Sequence, residues 1–273
     1  MTSSAEKLSR LLALLSDLGS VVVGFSGGVD SAFLSAAAYR SLGEKAVAVT
    51  AFSLTLPESE RLAATEIAEQ IGIQHVFLPI SELSSADFVA NDKNRCYFCK
   101  RQRFSVLSDW AYSHGYQWVL EGANADDIGD YRPGMRAVAE LEAVRSPLLE
   151  VGLMKQEIRE ISKAWGLPTW NKLSGACLSS RVPYGQLITE EKLRQIEQAE
   201  ESVKLYCSGQ VRVRHHGDLA RIEVSPEDIA KITSPEVREK IYQKLKQVGF
   251  TFVTVDLAGY RMGSLNDLLV MLQ

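Results

Sequence analysis

The sequence predicts an α/β chain: a doubly wound parallel sheet followed by a smaller C-terminal α+β domain. Three observations lead there. Short apolar runs alternate with stretches of helical period through the first half. A Gly-Gly turn stands directly between the first such run and the helix after it. Near residue 186 the texture changes to charged helices and alternating strands. The expected division therefore places residues 1–185 in the first domain and 186–273 in the second.

Taken in order, Leu8, Leu11, Leu12, Leu15 and Leu18 recur at helical spacing. The run from Val21 to Phe25 is continuously apolar, as a parallel strand buried on both faces requires. Ala32, Phe33, Leu34 and Ala36 to Ala38 then fit a helix packed on it. Residues 46–51 give a second strand, and Glu58 to Ile71 a helix stopped by Gly72. His75 to Ile80 is a third strand, Cys99 to His114 a helix and residues 118–122 a fourth strand. Lys155 to Trp165 is helical, and the small-residue stretch from Ser174 to Gly185 is a loop. In the tail, Glu190 to Leu205 is a charged helix. Gln210 to His215 and Leu219 to Val224 pair around a turn at residues 216–218. Pro235 to Val248 is a helix, and Phe250 to Leu257 a strand.

Composition narrows the function classes. With 46% hydrophobic residues among 273, the chain can bury one good core and a smaller second one. A formal charge of -4 argues against a strong nonspecific grip on nucleic acid and favours a small-molecule substrate. The amphipathic first residues lack a long apolar core and cleavage site, and no run approaches a membrane span. A cytoplasmic protein without a membrane partner is expected, so its four cysteines read as thiols or metal ligands rather than disulfides.

Residues 26–31, Ser-Gly-Gly-Val-Asp-Ser, close the first strand and open the next helix. Gly27 and Gly28 let the backbone approach an anion, Ser26 and Ser31 add hydroxyl donors, and the helix N-terminus offers free N–H groups. Pyrophosphate is the expected guest. Asp30 would be repelled by it unless a cation lay between them, which assigns Asp30 to Mg2+. In a parallel sheet ligands bind at the carboxyl ends of the strands, here at Phe25, Ala51 with Phe52, residues 79–82 and residues 121–124.

Residues 120–127 end a strand with Gly122, Asn124, Asp126 and Asp127. Gly122 permits close backbone approach to a nucleotide, and Asp127 is a candidate for holding Mg2+ or ordering Arg132. A capped helix start, with Asn124 or Asp126 as N-cap, accounts for the same residues. Arg132 is suited to balance phosphate charge, or to form a surface salt bridge.

Cys96 and Cys99 form a Cys-x-x-Cys element just ahead of a helix, among Arg95, Lys100, Arg101 and Arg103, a setting that favours thiolates. Cys177 is a third thiol, and Cys207 stands apart. Three thiolates can hold three irons of a 4Fe-4S cluster and leave the fourth open. A closed Zn site needs a fourth ligand, Cys207 or His114, and a redox dithiol is the third reading. Ser180 and Arg181 suit a phosphate clamp. Arg212 and Arg214 share a strand face by the two-residue period, which is costly without an anion and suggests a second phosphate site. An exposed face paired to Glu223 is the plainer account.

The loop Ser-Gly-Gly-Val-Asp-Ser resembles the signature of the PP-loop ATP pyrophosphatases, whose Rossmann-like domain adenylates a substrate oxygen. With it, Glu-Gly-Ala-Asn-Ala-Asp-Asp (121–127), Asp-Tyr-Arg-Pro-Gly (130–134), Cys-Leu-Ser-Ser-Arg-Val-Pro-Tyr-Gly (177–185), Val-Arg-Val-Arg (211–214) and residues 257–266 resemble the LarE family across nearly the whole length. That resemblance implies an ATP-dependent sulfur transferase that adenylates a pyridinium dicarboxylate mononucleotide and converts a carboxylate to a thiocarboxylate, for the nickel-pincer cofactor of lactate racemase. Cys96, Cys99 and Cys177 match the three-cysteine members, which are thought to carry sulfur on an iron-sulfur cluster. Sacrifice of the Cys177 sulfur, as in single-cysteine members, stays open.

The resulting expectation is that Ser26, Gly27, Gly28 and Ser31 hold pyrophosphate, Asp30 holds Mg2+, and Ala51, Phe52 and Gly122 line the adenosine of ATP. Asn124, Asp127 and Arg132 join the nucleotide site, and Ser180, Arg181, Arg212 and Arg214 bind the substrate phosphate. Cys177 serves catalysis and, with Cys96 and Cys99, the cluster. The resemblance also implies a homo-oligomer, and the sequence names no sulfide donor. The rival readings are a PP-loop tRNA thiolase, an amide-forming ATP pyrophosphatase and a nonenzymatic ATP-responsive protein.

Overall fold

The computed structural model describes residues 3–128, 133–173 and 175–266. The chain forms two compact units: one of residues 1–82 and 96–175, the other of residues 83–95 and 176–273.

The first unit opens with α1 (Ser4–Leu18), started by a capping box between Ser3 and Glu6. β1 (Val21–Gly24), α2 (Val29–Leu42), β2 (Ala46–Phe52), α3 (Glu58–Ile71) and β3 (Gln74–Pro79) follow. The segment 83–95, which carries α4 (Ala86–Val89), belongs to the second unit. α5 (Arg95–Ser113), β4 (Trp118–Leu120), α6 (Pro133–Ala139), β5 (Val144–Arg145), α7 (Pro147–Glu150) and α8 (Lys155–Ala164) complete the first unit. Its five strands are ordered β3-β2-β1-β4-β5, and every pairing is parallel.

Both faces of this sheet are covered, and the period of two in each strand sorts the side chains. Val21, Val23, Ala46 and Ala48 join a core with Leu11 and Leu15 of α1, Phe33 and Ala37 of α2 and Ile158 of α8. Val22, Val47, Val49 and Val119 face the other way, onto Phe104, Leu107 and Ala111 of α5. This is the continuous apolar patterning of a doubly wound parallel sheet. Chain order reverses between β1 and β4, so the crevice at their carboxyl ends is the switch point where such sheets bind ligands.

The second unit contains α9 (Glu190–Lys204), β6 (Val211–His216), β7 (Leu219–Val224), α10 (Pro226–Ile232), α11 (Pro235–Val248) and β8 (Phe252–Val255). β6 and β7 are an antiparallel hairpin closed by Gly217 at φ 66°, while β8 joins β7 in parallel. Val203, Val213, Ile222, Leu245 and Phe250 pack together as its core.

Three local expectations change. Cys96 lies inside the first turn of α5 rather than ahead of it, because the helix begins at Arg95 and not at Cys99. The last strand is shorter than the run 250–257, because the Phe250 amide closes α11 on Leu245 O. α6, β5 and α10 carry too little periodicity over their few residues to be read from sequence. Among the described residues no helix is long and apolar enough to cross a membrane.

Candidate functional site

The turn after β1 is shaped by its own side chains. Ser31 Oγ accepts from Ser26 N at 3.2 Å and donates toward Gly28 O at 3.3 Å, and the two serine hydroxyls are 3.1 Å apart. Gly28 is the N-cap of α2 with no side-chain cap, leaving the first amides of that helix to a ligand. Gly27 sits at φ 66°, and a Cβ there would lie 3.2 Å from Cα of Ala64, so only glycine keeps the loop against α3. Thr50 Oγ1 anchors the strand end by donating to Phe25 O at 2.7 Å. His75 Nε2 stands 2.8 Å from that same hydroxyl, and burial pushes its pKa down to about 4.

The segment after β4 meets this turn. A Cβ on Gly122 would sit 3.4 Å from Ser31 N, so the strand end lies against the first turn of α2. Asn124 caps a short 3-10 turn, with Asp126 N donating to its Oδ1 and Asp127 Oδ2 accepting from its amide. The N-cap reading of this motif is thus present, and it aims the Asn124 amide at Asp30 Oδ1, 3.4 Å away. The other Asp30 oxygen receives Lys155 Nζ at 2.5 Å. Lys155 is the first residue of α8, and its own amide donates to Asp126 Oδ2 at 2.6 Å. Lys172 Nζ reaches the loop too, donating to Gly27 O at 3.0 Å and to Glu60 at 2.8 Å. Sequence reasoning passed over both lysines. The usable signal was Lys155 itself: a cation at the first position of a helix opposes the dipole and calls for an anion nearby.

At the end of β2, Ala51 is buried and its carbonyl accepts from Arg103 Nη1 at 2.7 Å. Phe52 is half-buried, edge-on to Phe77. Arg103 also grips Glu82 through Nε at 2.9 Å and Nη2 at 2.5 Å. Cys99 Sγ lies 3.6 Å from the same Glu82 oxygen. Burial would raise the Glu82 carboxyl, but the Arg103 charge and the hydrogen bonds it accepts hold it below the ordinary carboxylate value. Cys96 is exposed and, three residues before Cys99, shares its helix face. Arg132 lies outside the described residues.

In the second unit Cys177 precedes a 3-10 turn, Leu178–Arg181. Arg181 is buried and its guanidinium is occupied. Nε and Nη2 pair with Glu200 at 2.8 and 2.9 Å, while Nη1 donates to Ala176 O, Cys177 O and Ser180 Oγ. Glu200 accepts Val213 N as well, at 3.0 Å. Arg214 pairs with Glu223 at 2.7 Å and donates to Ser180 O and Ser264 Oγ. Arg212 donates to Val211 O and lies over the Tyr260 ring. Burial first, then the Arg181 charge, pushes Arg212 below the usual guanidinium value. The structure therefore groups Arg181, Arg212 and Arg214 in one unit, buried rather than on an exposed strand face. Arg95, the residue before Cys96, donates to Asn91 Oδ1 and Ser179 O in this same unit.

Two cysteines thus belong to the first unit and Cys177 to the second. Within each unit, among the described residues, no three His, Cys, Asp or Glu side chains are placed to hold a metal ion. The thiol pair on α5 suits thiolate ligation in kind, and supplies two ligands.

Residues 13–126 match the family model of NAD synthase. The chain is 35% identical to pyridinium-3,5-bisthiocarboxylic acid mononucleotide synthase of Lactiplantibacillus plantarum, over 100% of this chain and 98% of that one. It is 42% identical to an uncharacterized protein of Synechocystis sp., over 96% and 98% of the two chains. Glutamine-hydrolyzing GMP synthase of Pyrobaculum aerophilum is 30% identical over 55% of this chain and 32% of its own.

Proposed function

Because the chain belongs to the LarE family, we propose that it converts a carboxylate of a pyridinium dicarboxylate mononucleotide into a thiocarboxylate, using ATP. It is an ATP-dependent enzyme with a PP-loop domain. The observation that carries the reading is the turn at residues 26–31, whose capless helix start, paired serines and left-handed Gly27 make a cradle of pyrophosphate chemistry beside a carboxylate.

In this reading Ser26, Gly27, Gly28 and Ser31 bind the β- and γ-phosphates. Asp30, steered by Asn124, takes Mg2+, and Ala51, Phe52 and Gly122 border the adenosine. Asp127 acts through the cap it makes on Asn124, and Arg132 balances phosphate charge. A substrate carboxylate oxygen attacks the α-phosphorus, and pyrophosphate leaves. A sulfur nucleophile then adds to the acyl carbon of the resulting mixed anhydride, and AMP leaves with the former carboxylate oxygen.

The first unit carries the adenylating chemistry, and the second, which holds residues 176–185 as well as the expected 186–273, the substrate phosphate and the contacts of a homo-oligomer. Arg212 and Arg214 with Ser180 receive the phosphate. Arg181 adds its charge to them while its N–H groups hold the Cys177 turn. An added dianion would offset the burial and the Arg181 charge that together depress Arg212. Cys96, Cys99 and Cys177 would hold a 4Fe-4S cluster, which when bound supplies a labile sulfide as the nucleophile. Iron and sulfide analysis of protein reconstituted without oxygen tests that part. About four irons per chain, lost in Cys99→Ala, support it. Absence of iron, with a chain that loses hydrogen sulfide in one turnover, assigns the sulfur to Cys177 itself.

A further inference from the structure

We propose that Asn91, together with Arg95, is a positioning residue for sulfur delivery: it fixes the loop that carries Cys177, so that the activated acyl carbon meets sulfur rather than water. The inference rests on the reaction proposed above and adds to it a residue outside both the nucleotide turn and the arginine cluster. Asn91 is fully buried and holds a left-handed backbone at φ 54°, the one residue other than glycine to do so among the described residues. Asparagine tolerates that conformation without preferring it, and a strained backbone kept at a buried position is imposed by what surrounds it. The surroundings here are one loop. Asn91 Nδ2 donates to Pro183 O at 2.8 Å, Gln186 O at 3.0 Å and Val182 O at 3.3 Å. Only the NH2 side of the amide can face three carbonyls, which fixes its orientation. Its Oδ1 accepts from Arg95 Nη1 at 2.8 Å, and the same nitrogen donates to Ser179 O at 2.9 Å. The Asn91 carbonyl accepts from Gly185 N, and Val89 O from Ile188 N, each at 3.0 Å.

All of these bonds to the loop end on the stretch 179–188, which after the 3-10 turn lies outside any helix or strand until α9. Ser179 is two residues past Cys177, and Ser180 closes the turn by donating to Cys177 O from its amide at 3.0 Å and from its hydroxyl at 2.8 Å. The grip of Arg95 on Ser179 O is thereby passed to Cys177. The chemistry makes that placement decisive. Once AMP is on the carboxylate, the acyl carbon accepts either of two nucleophiles, and AMP leaves in both cases. Sulfur gives the thiocarboxylate. Water restores the carboxylate, so ATP is hydrolysed to AMP and pyrophosphate without product. A misplacement of about 1 Å can slow a positioned reaction about 100-fold, so the partition between sulfur and water reports how well the loop is held.

The test uses the full-length chain reconstituted without oxygen, as wild type, Asn91→Gly and Arg95→Lys, with circular dichroism confirming the fold. Glycine keeps the left-handed backbone and removes only the side-chain amide. Two quantities are read: thiocarboxylate formed per pyrophosphate released, with ATP, Mg2+ and saturating pyridinium dicarboxylate mononucleotide, and hydrogen exchange at residues 180–188 without substrate. Asn91→Gly releases pyrophosphate at close to the wild-type rate, while its thiocarboxylate per pyrophosphate falls about tenfold or more. Exchange at 180–188 speeds about tenfold in the same variant. Arg95→Lys keeps a cation able to reach one of the two acceptors and moves both readings the same way by less. Loss of folded protein would lower pyrophosphate and thiocarboxylate together and leave their ratio untouched. A wild-type ratio in both variants overturns the inference, whatever the exchange shows; where Asn91→Gly does not fold, the ratio in Arg95→Lys decides alone. Absence of thiocarboxylate from wild type overturns the proposed reaction instead. The exchange comparison then decides the positioning role, which faster exchange confined to the loop supports and unchanged exchange overturns.

Discussion

Arg181 and Glu200 face each other with side-chain exposures of 2% each, and their ion pair holds three things at once. Glu200 receives two guanidinium N–H groups and the Val213 amide, and the remaining Arg181 nitrogen gathers the carbonyls of Ala176 and Cys177. Arg181→Met keeps much of the volume but leaves a carboxylate in the interior with one backbone donor. Breaking a buried pair from one side costs about 3–5 kcal/mol. That is a large part of the ~5–15 kcal/mol of a typical domain, and lowers the midpoint by roughly 6–20 °C at this chain length. Urea and thermal unfolding followed by far-UV circular dichroism at neutral pH read the loss. Adding Glu200→Gln removes the second charge and keeps an acceptor for Val213, so the double variant recovers at least half of it. A single-variant loss below about 1 kcal/mol, the value of an exposed pair, or a double variant no better than the single, would refute the reasoning.

Asp30→Asn removes the carboxylate proposed to take Mg2+, and we expect pyrophosphate release to fall at least 100-fold with ATP binding less affected, read by a coupled phosphate assay and by equilibrium binding. Gly27→Ala forces a side chain into the left-handed region at about 1–2 kcal/mol and against Ala64. Its ATP affinity should drop about tenfold, a loss absent from Gly115→Ala just past the C-terminus of α5, where a Cβ meets nothing within 4 Å. Cys177→Ala should still form the adenylate while making no thiocarboxylate, seen by mass spectrometry; equal loss of both steps would remove the division of labour. For pH, the unfolded His75 imidazole takes up a proton near 6.5, whereas the buried one resists to about 4. The folded chain binds fewer protons in between, so its stability is complete above about pH 6.5 and falls as pH drops through about 4. His75→Gln should flatten that decline, and His215 and His216, also lowered first by burial, leave a residual slope of the same sign.

The doubly wound sheet was readable because the apolar runs of β1 and β2 are unbroken and their helices keep a clear period. The shape of the turn after β1 was readable because its constraint is local: two glycines, two serines and an aspartate within six residues. What sequence could not give was pairing at long range. Lys155 is 125 residues from Asp30, and Glu200 is 19 from Arg181 across a change of element. Nothing in local spacing marks such partners. The same holds for Arg103, noticed only as one basic residue near the thiols, which spans from the end of β2 to Glu82. The arginines of β6 were correctly placed on one face, but their burial follows from α9 and the 177–185 loop covering that face, which no period of two can reveal.

The most direct measurement is a single-turnover reaction of the reconstituted protein with ATP, Mg2+ and pyridinium dicarboxylate mononucleotide, following pyrophosphate and product mass together. The account predicts one pyrophosphate and one AMP for each carboxylate oxygen replaced by sulfur, and none of these in Asp30→Asn. Pyrophosphate release that needs ammonia rather than a sulfur source, or ATP binding with no pyrophosphate from this substrate, would contradict it.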